Sequence, residues 1–188
     1  TPRLRRFQTL HPDIVISVET EVSFSRFKQI DYDISIQYGN DDDWPGLITY
    51  KLNRDELFPV CSPDLPRSLD LTKSEDLSRH TLIATSSLIV QNDWPMWLNA
   101  ANIPDLTFSN RITFAHLLPA LEAAINGLGV TMVRELMVRS ELVEGRLIEP
   151  FSIRLQSRSG YRLVIKPGRI NVPQVRLFKD WLLAEFDA

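Results

Sequence analysis

The residues most directly suited to chemistry are three histidines, His11, His80 and His116, and a single cysteine, Cys61. No two histidines share the HxxxH spacing that sets two imidazoles on one helix face, so no metal site is expected. His11 precedes Pro12 at a helix end and reads as a capping residue. His116 reads as a packing or surface residue, with a pH-sensitive ligand contact as the other option. Cys61 closes an apolar strand as a buried, unreactive thiol, and alone it excludes an internal disulfide. Neither a GxSxG nucleophile elbow nor a GxxxxGK[ST] phosphate loop occurs. Gly127-Leu128-Gly129 follows a helix instead of opening one, which makes it a helix stop and not a dinucleotide fingerprint. The run Asp41–Asp43 reads as a solvated acidic turn. No catalytic set assembles from these residues, and no cofactor is implied.

The remaining polar and aromatic residues fit a small-molecule site. In open α/β sheets ligands bind outside the carboxyl ends of strands. Tyr38-Gly39 ends one predicted strand and Thr113-Phe114 another, and a helix begins near Ala115-His116, offering free N–H groups to an anion. These residues, with Thr85 and Tyr161, form the candidate small-molecule site. The other reading of the same residues makes Thr113 a helix cap and Phe114 core.

Several elements must position these groups. Leu4, Phe7 and Leu10 have helical spacing up to Pro12, and Ile14–Val18 has the β-branched signature of a buried strand. Tyr32–Tyr38 alternates as a strand ended by Gly39, followed by strands over Leu47–Leu52 and Glu56–Cys61. Pro59, Pro63 and Pro66 then take the path out of that sheet. The middle alternates strand and helix. Strand Thr81–Thr85 is followed by a helix capped by Asp93 and carrying Trp94, Trp97, Leu98 and Ala101 on one face. Strand Arg111–Phe114 precedes a helix with Leu117, Leu118, Leu121, Ala124 and Ile125 on one face, then strand Val130–Val133. Ser140 is expected to cap a short helical turn ended by Gly145, with Leu147-Ile148 extended. Strand Tyr161–Lys166 and a helix after Pro173, striped with Val175, Phe178, Trp181, Leu182 and Phe186, complete the chain. This alternation predicts an α/β fold with two largely parallel sheets.

The strings "LRRFQTLHPDI" (Leu4–Ile14), "DYDISIQYG" (Asp31–Gly39), "DELFPVCSP" (Asp55–Pro63), "AAINGLGVTMVRELMVRSELVEGRLIEPF" (Ala123–Phe151), "YRLVIKP" and "VRLFKDWLLAEF" run collinearly over nearly the whole chain. Together they resemble the effector-binding domain of LysR-type transcriptional regulators, in the branch of glycine-cleavage and β-lactamase-induction activators. The resemblance implies two Rossmann-like lobes joined by two crossover strands, as in type 2 periplasmic binding proteins. Lobe I would comprise 1–62 and 158–188, without its usual first strand, and lobe II 63–157. It also implies a metabolite held between lobes, which puts the binding reading of Thr113 and Phe114 ahead of the structural one. Dimerisation would use Leu4, Phe7 and Val15 against Leu117, Leu121 and Ile125 of another copy, giving a homodimer or tetramer; intramolecular core is the equal alternative for these side chains.

With 188 residues, 44% of them hydrophobic, the chain buries a core without metal or disulfide support. Lys+Arg 21 against Asp+Glu 24 gives a net charge of -3, a poor balance for gripping DNA, which would be reached only through a winged helix-turn-helix absent from this chain. No apolar run approaches the ~18 residues of a membrane span. The expected location is the cytoplasm, and the expected partner a small polar or anionic effector. A periplasmic-type solute receptor shares the implied fold and is the first rival; an α/β enzyme, which would need a catalytic trio, is the second.

Overall fold

The alternating apolar and polar residues of Tyr32–Tyr38 become strand β1 (Ile34–Gly39), and the apolar runs that follow become β2 (Ile48–Lys51) and β3 (Glu56–Val60). The computed structural model describes residues 3–19, 32–53, 55–65, 71–86, 92–157 and 159–187; Pro66 lies outside them. Further strands are β4 (Thr81–Thr85), β5 (Asn110–Phe114), β6 (Val130–Arg134), β7 (Leu155–Gln156) and β8 (Gly160–Ile165). Five α-helices accompany them among the described residues: α1 (Leu4–Leu10), α2 (Asp93–Ala100), α3 (Leu117–Ile125), α4 (Glu135–Val143) and α5 (Pro173–Asp187).

The chain divides into two compact units, Thr1–Arg54 with Arg158–Ala188, and Asp55–Ser157. The first junction therefore falls at 54/55 and not at 62/63, because β3 pairs with β6 and β7 of the second unit. The second junction falls at 157/158.

Unit 1 holds a three-stranded sheet in the order β1-β8-β2, with both ladders antiparallel. Its core forms where Leu163 and Ile165 of β8 meet Val175 and Leu182 of α5, joined by Phe178, Trp181 and Phe186 from the predicted stripe. Unit 2 holds a five-stranded sheet in the order β5-β4-β6-β3-β7. Here β4 runs parallel to β5 and β6, while β3 is antiparallel to β6 and β7. The expectation of largely parallel sheets is thus corrected: β8 inserts between β1 and β2 against their direction, and β3 likewise opposes β6. Local periodicity carries no information on strand direction, because parallel and antiparallel strands both alternate. Pro59 sits in β3 opposite Met132, beyond the two-residue span of β7, so its missing N–H removes no bond on that flank.

Three local expectations are corrected. Ile14–Val18 forms no strand among the described residues, and Val15 is 95% exposed; a β-branched run favours extension, while burial requires a partner strand. Asp93 is not a cap: Asn92 holds that place and the Asp93 side chain turns into the interior. Ser140 lies inside α4, which starts directly after β6, so helix formation outweighs its capping preference. Gly127 ends α3 with φ 76°, its N–H reaching Ala124 O at 3.0 Å while the Leu128 N–H reaches Ala123 O at 3.0 Å. This is the paired-bond helix stop for which a left-handed glycine is favoured. Gly129 is needed for another reason: a Cβ there would lie 2.2 Å from the Thr81 carbonyl oxygen.

Candidate functional site

In unit 2 the parallel ladder sets Thr85 opposite Phe114 and Ala84 opposite Thr113, and the Ser86 N–H continues it to Phe114 O at 2.9 Å. Thr85, Thr113 and Phe114 therefore gather at the carboxyl end of two adjacent strands. Ile83 anchors this end in the core, while Thr113 is exposed and Phe114 half-buried against the cluster of Phe58, Val60 and Leu121. Helix α3 starts immediately afterwards with His116 in the extended N-cap position and no side-chain cap. Thr113 thus does not cap the helix, and the first-turn N–H groups of α3 remain available to an anion.

In unit 1 the β1–β8 register places Tyr38 opposite Tyr161 and Gly39 opposite Gly160. The two rings meet edge to face at 5.1 Å and 69°. A Cβ on Gly39 would fall 2.5 Å from Asp43 Oδ2 and 2.7 Å from the Trp44 ring, so only glycine lets the chain turn there. The turn is held by Asn40, whose N–H donates to Asp43 Oδ2 at 2.7 Å and whose Oδ1 accepts from Ser159 Oγ at 3.0 Å. The acidic turn is therefore a built connection as well as a polar one. The six candidate effector residues fall into two groups of three, one at a strand end of each unit.

Sequence reading missed three arginines. Arg162, 3% exposed in β8, donates from Nε to Gly39 O at 3.3 Å behind the tyrosine pair. Its signal was a lone cation in the apolar run Tyr161–Ile165. Arg134, 6% exposed at the end of β6, grips both Asp93 carboxylate oxygens from Nη2 at 3.0 and 2.9 Å and faces Asp55 Oδ2 from Nε at 3.4 Å. Burial pushes Asp93 up to about 6, against the pull of Arg134 and with added repulsion from Asp55. Arg154 bridges Glu149 at 2.6 Å and Glu56 at 2.8 Å and lies 4.2 Å over the Phe58 ring. Apart from Arg154 and Glu149, five positions apart, these pairings link residues distant in sequence, and no local pattern announces them.

Other polar groups are structural. The Asp76 carboxylate accepts from Lys73 N and Thr72 N, both at 3.0 Å, and from Arg79 Nη2 at 2.8 Å, which holds its pKa down to about 2. Cys61 is fully buried, and burial pushes its thiol up to about 12, in keeping with an unreactive role. His11 caps the carboxyl end of α1 and packs 4.8 Å from Phe7. Among the described residues no group of three or more His, Cys, Asp or Glu side chains is placed to hold a metal ion. Nor is any helix among them long and apolar enough to cross a membrane.

The proposed interface residues separate by burial. Phe7 is fully buried within unit 1 against Phe178 and Trp181, and Leu121 is 5% exposed in the unit 2 core. Both side chains are spent on the interior and cannot line an interface. Leu4, Leu117 and Ile125 are half-buried, and Val15 is exposed.

Two mixed α/β units built on one chain that crosses twice between them define a class, the type 2 periplasmic-binding-protein-like fold of bacterial effector domains. The effector domain of the transcriptional regulator AmpR of Pseudomonas aeruginosa matches with a TM-score of 0.80 at 27% identity, over 99% of this chain and 87% of that one. CrgA, a LysR-type regulator from Neisseria meningitidis, matches at a TM-score of 0.83 over 100% of this chain and 63% of its own, and at 17% identity it shows the fold alone. The chain belongs to the LysR substrate binding domain family, whose model matches residues 1–187. A glycine cleavage system transcriptional activator of Escherichia coli K12 is 32% identical over 185 residues, 98% of this chain and 59% of the relative. The HTH-type transcriptional activator AmpR of Pseudomonas aeruginosa is 28% identical over 97% of this chain and 60% of its own length. The chain thus spans about three-fifths of the length of these curated relatives.

Proposed function

We propose that this chain is the ligand-sensing and dimerisation region of a bacterial LysR-type transcription factor, located in the cytoplasm and without catalytic activity of its own. Its effector is a small polar or anionic metabolite, and the candidate residues for its recognition are Tyr38, Gly39 and Tyr161 in unit 1 and Thr85, Thr113 and Phe114 in unit 2. DNA is engaged by a further region of the full-length protein. A metabolite that favours one arrangement of the subunits shifts their population and so repositions that region. The observation that carries the reading is the uncapped start of α3 beside Thr113 and Phe114 at the end of the parallel ladder, in a chain of this family. A hydroxyl, an aromatic wall and free N–H groups suit a carboxylate-bearing ligand.

The test is a thermal-shift screen against amino acids, aromatic acids and cell-wall fragments, followed by calorimetric titration of the hit. Thr113→Val removes one hydrogen bond, and Tyr38→Ala removes an aromatic face. Each is expected to weaken binding about tenfold, the equivalent of one lost hydrogen bond of ~1.4 kcal/mol. Unchanged affinity in both variants eliminates the site.

A further inference from the structure

The register of β1 against β8 sets Tyr38 directly opposite Tyr161, a residue from a distant part of the chain. Residues paired across an antiparallel ladder project to the same face, so the two phenol rings meet without any rearrangement of the backbone. Their centroids stand 5.1 Å apart at 69°, the edge of one ring against the face of the other. Both residues are half-buried, so each keeps contact with solvent while the sheet restrains it. Neighbouring pairs on either side, Gln37 with Arg162 and Gly39 with Gly160, hold the register. The thiol of the chain offers no competing route for oxidation: Cys61 is fully buried and pushed up to about 12, which withholds the reactive thiolate. The other tyrosines are engaged elsewhere. Tyr32 donates its hydroxyl to Glu19 Oε2 at 3.0 Å, and the Tyr50 ring lies 5.3 Å from Lys179 Nζ.

We propose that Tyr38 and Tyr161 are an oxidative cross-linking site, at which a one-electron oxidant of the carbonate-radical class joins the two rings through a carbon–carbon bond. Each phenol gives one electron and its hydroxyl proton to a carbonate radical, which leaves as bicarbonate. The two phenoxyl radicals then pair at ring carbons beside their oxygens. The hydrogen on each joined carbon moves to the neighbouring oxygen and restores the phenol. Two tyrosines and two carbonate radicals thus become one dityrosine and two bicarbonates. An isolated phenoxyl radical must find a partner by diffusion. Here the partner is already in contact, which favours coupling within one chain over coupling between chains. The edge-to-face rings need only turn about χ2, a soft torsion for tyrosine, to bring those carbons together. The product pins β1 to β8 covalently, at the end of the unit 1 sheet where Gly39 faces Gly160. This reactivity follows from the geometry of the pair and stands whether or not these tyrosines touch the effector.

The experiment exposes the intact chain to carbonate radical made by radiolysis of a bicarbonate buffer. Dityrosine fluorescence is read on the monomer band of a denaturing gel, and the digested band is mapped by mass spectrometry. The expected product is a peptide carrying Tyr38 joined to one carrying Tyr161, at their summed mass less two hydrogens. Tyr38→Phe and Tyr161→Phe should each lower the intrachain yield about tenfold or more, while Tyr32→Phe and Tyr50→Phe leave it unchanged. The cross-linked fraction should melt about five degrees or more above the untreated chain, since a covalent tie restricts the unfolded ensemble. A native map that puts the cross-link on other tyrosines, or only between chains, overturns the proposal. So does its absence while N-acetyltyrosine couples under the same exposure, or oxygen addition at tryptophan or methionine in its place. A cross-linked fraction that melts with the untreated chain overturns the pinning of β1 to β8. Should a variant fail to fold, the map of the native chain decides alone.

Discussion

Asp76 and Asp93 show how one residue type acquires opposite behaviour from its surroundings. Asp76 is surrounded by donors, two backbone N–H groups, the Thr72 hydroxyl and Arg79, which favour its ionised form. Its folded pKa of about 2 lies below the ordinary value of 3.8, so its contribution to stability is present above pH 4 and is lost as the pH falls toward 2. In Asp76→Asn the acid limb of the melting-temperature profile should be shallower between about pH 4 and 2 than in the native protein; circular dichroism melts across that window check it. Asp93 runs the other way. Its folded value is raised, so its contribution is present in acid and is lost as the pH rises through about 6. Neither role was legible from sequence, where Asp93 read as a helix cap. The distinction lies in partners such as Arg134, 41 positions from Asp93.

At the scale of elements, α1 was legible from its spacing, yet its purpose was not. Phe7 was expected to face either a second subunit or the interior. It packs at 5.0 Å against Phe178 and 5.2 Å against Trp181 of α5, forming an aromatic cluster that attaches α1 to unit 1. Arg3 adds a bond to the Glu185 carbonyl on the same helix. Phe7→Ala leaves a cavity in a fully buried position and should cost about 3–5 kcal/mol, read from urea denaturation followed by tryptophan fluorescence. The Ile14–Val18 segment marks the opposite limit: its composition predicted a strand, and tertiary structure supplied no partner for it among the described residues.

At the scale of the whole molecule, the proposed assembly would draw on residues that the core leaves outside. Val15 is 95% exposed, so its replacement by glutamate has no intramolecular packing to disturb. Val15→Glu should therefore weaken self-association while leaving the melting temperature within about two degrees of the native value; analytical ultracentrifugation over a concentration series measures it. An unchanged association constant removes Val15 from the interface. Leu117 and Ile125 of α3, both half-buried, are the proposed matching positions on unit 2.

The chain's own order of residues determined most elements: alternating Tyr32–Tyr38, the striped Pro173–Phe186 helix, and the glycines at 39, 127 and 145. These signals act within a few neighbouring residues, where periodicity and backbone preference suffice. It also carried the strings by which the family was legible, whereas the pairing of β1 with β8 and of β4 with β5 is what gathered the effector candidates into two triplets. Strand direction, the insertion of β8 between β1 and β2, the burial of Phe7 and the capture of two aspartates by Arg134 were decided only by tertiary structure. Each joins segments distant along the chain, and its free energy arises when water is excluded from both partners at once, a condition no short window of sequence expresses.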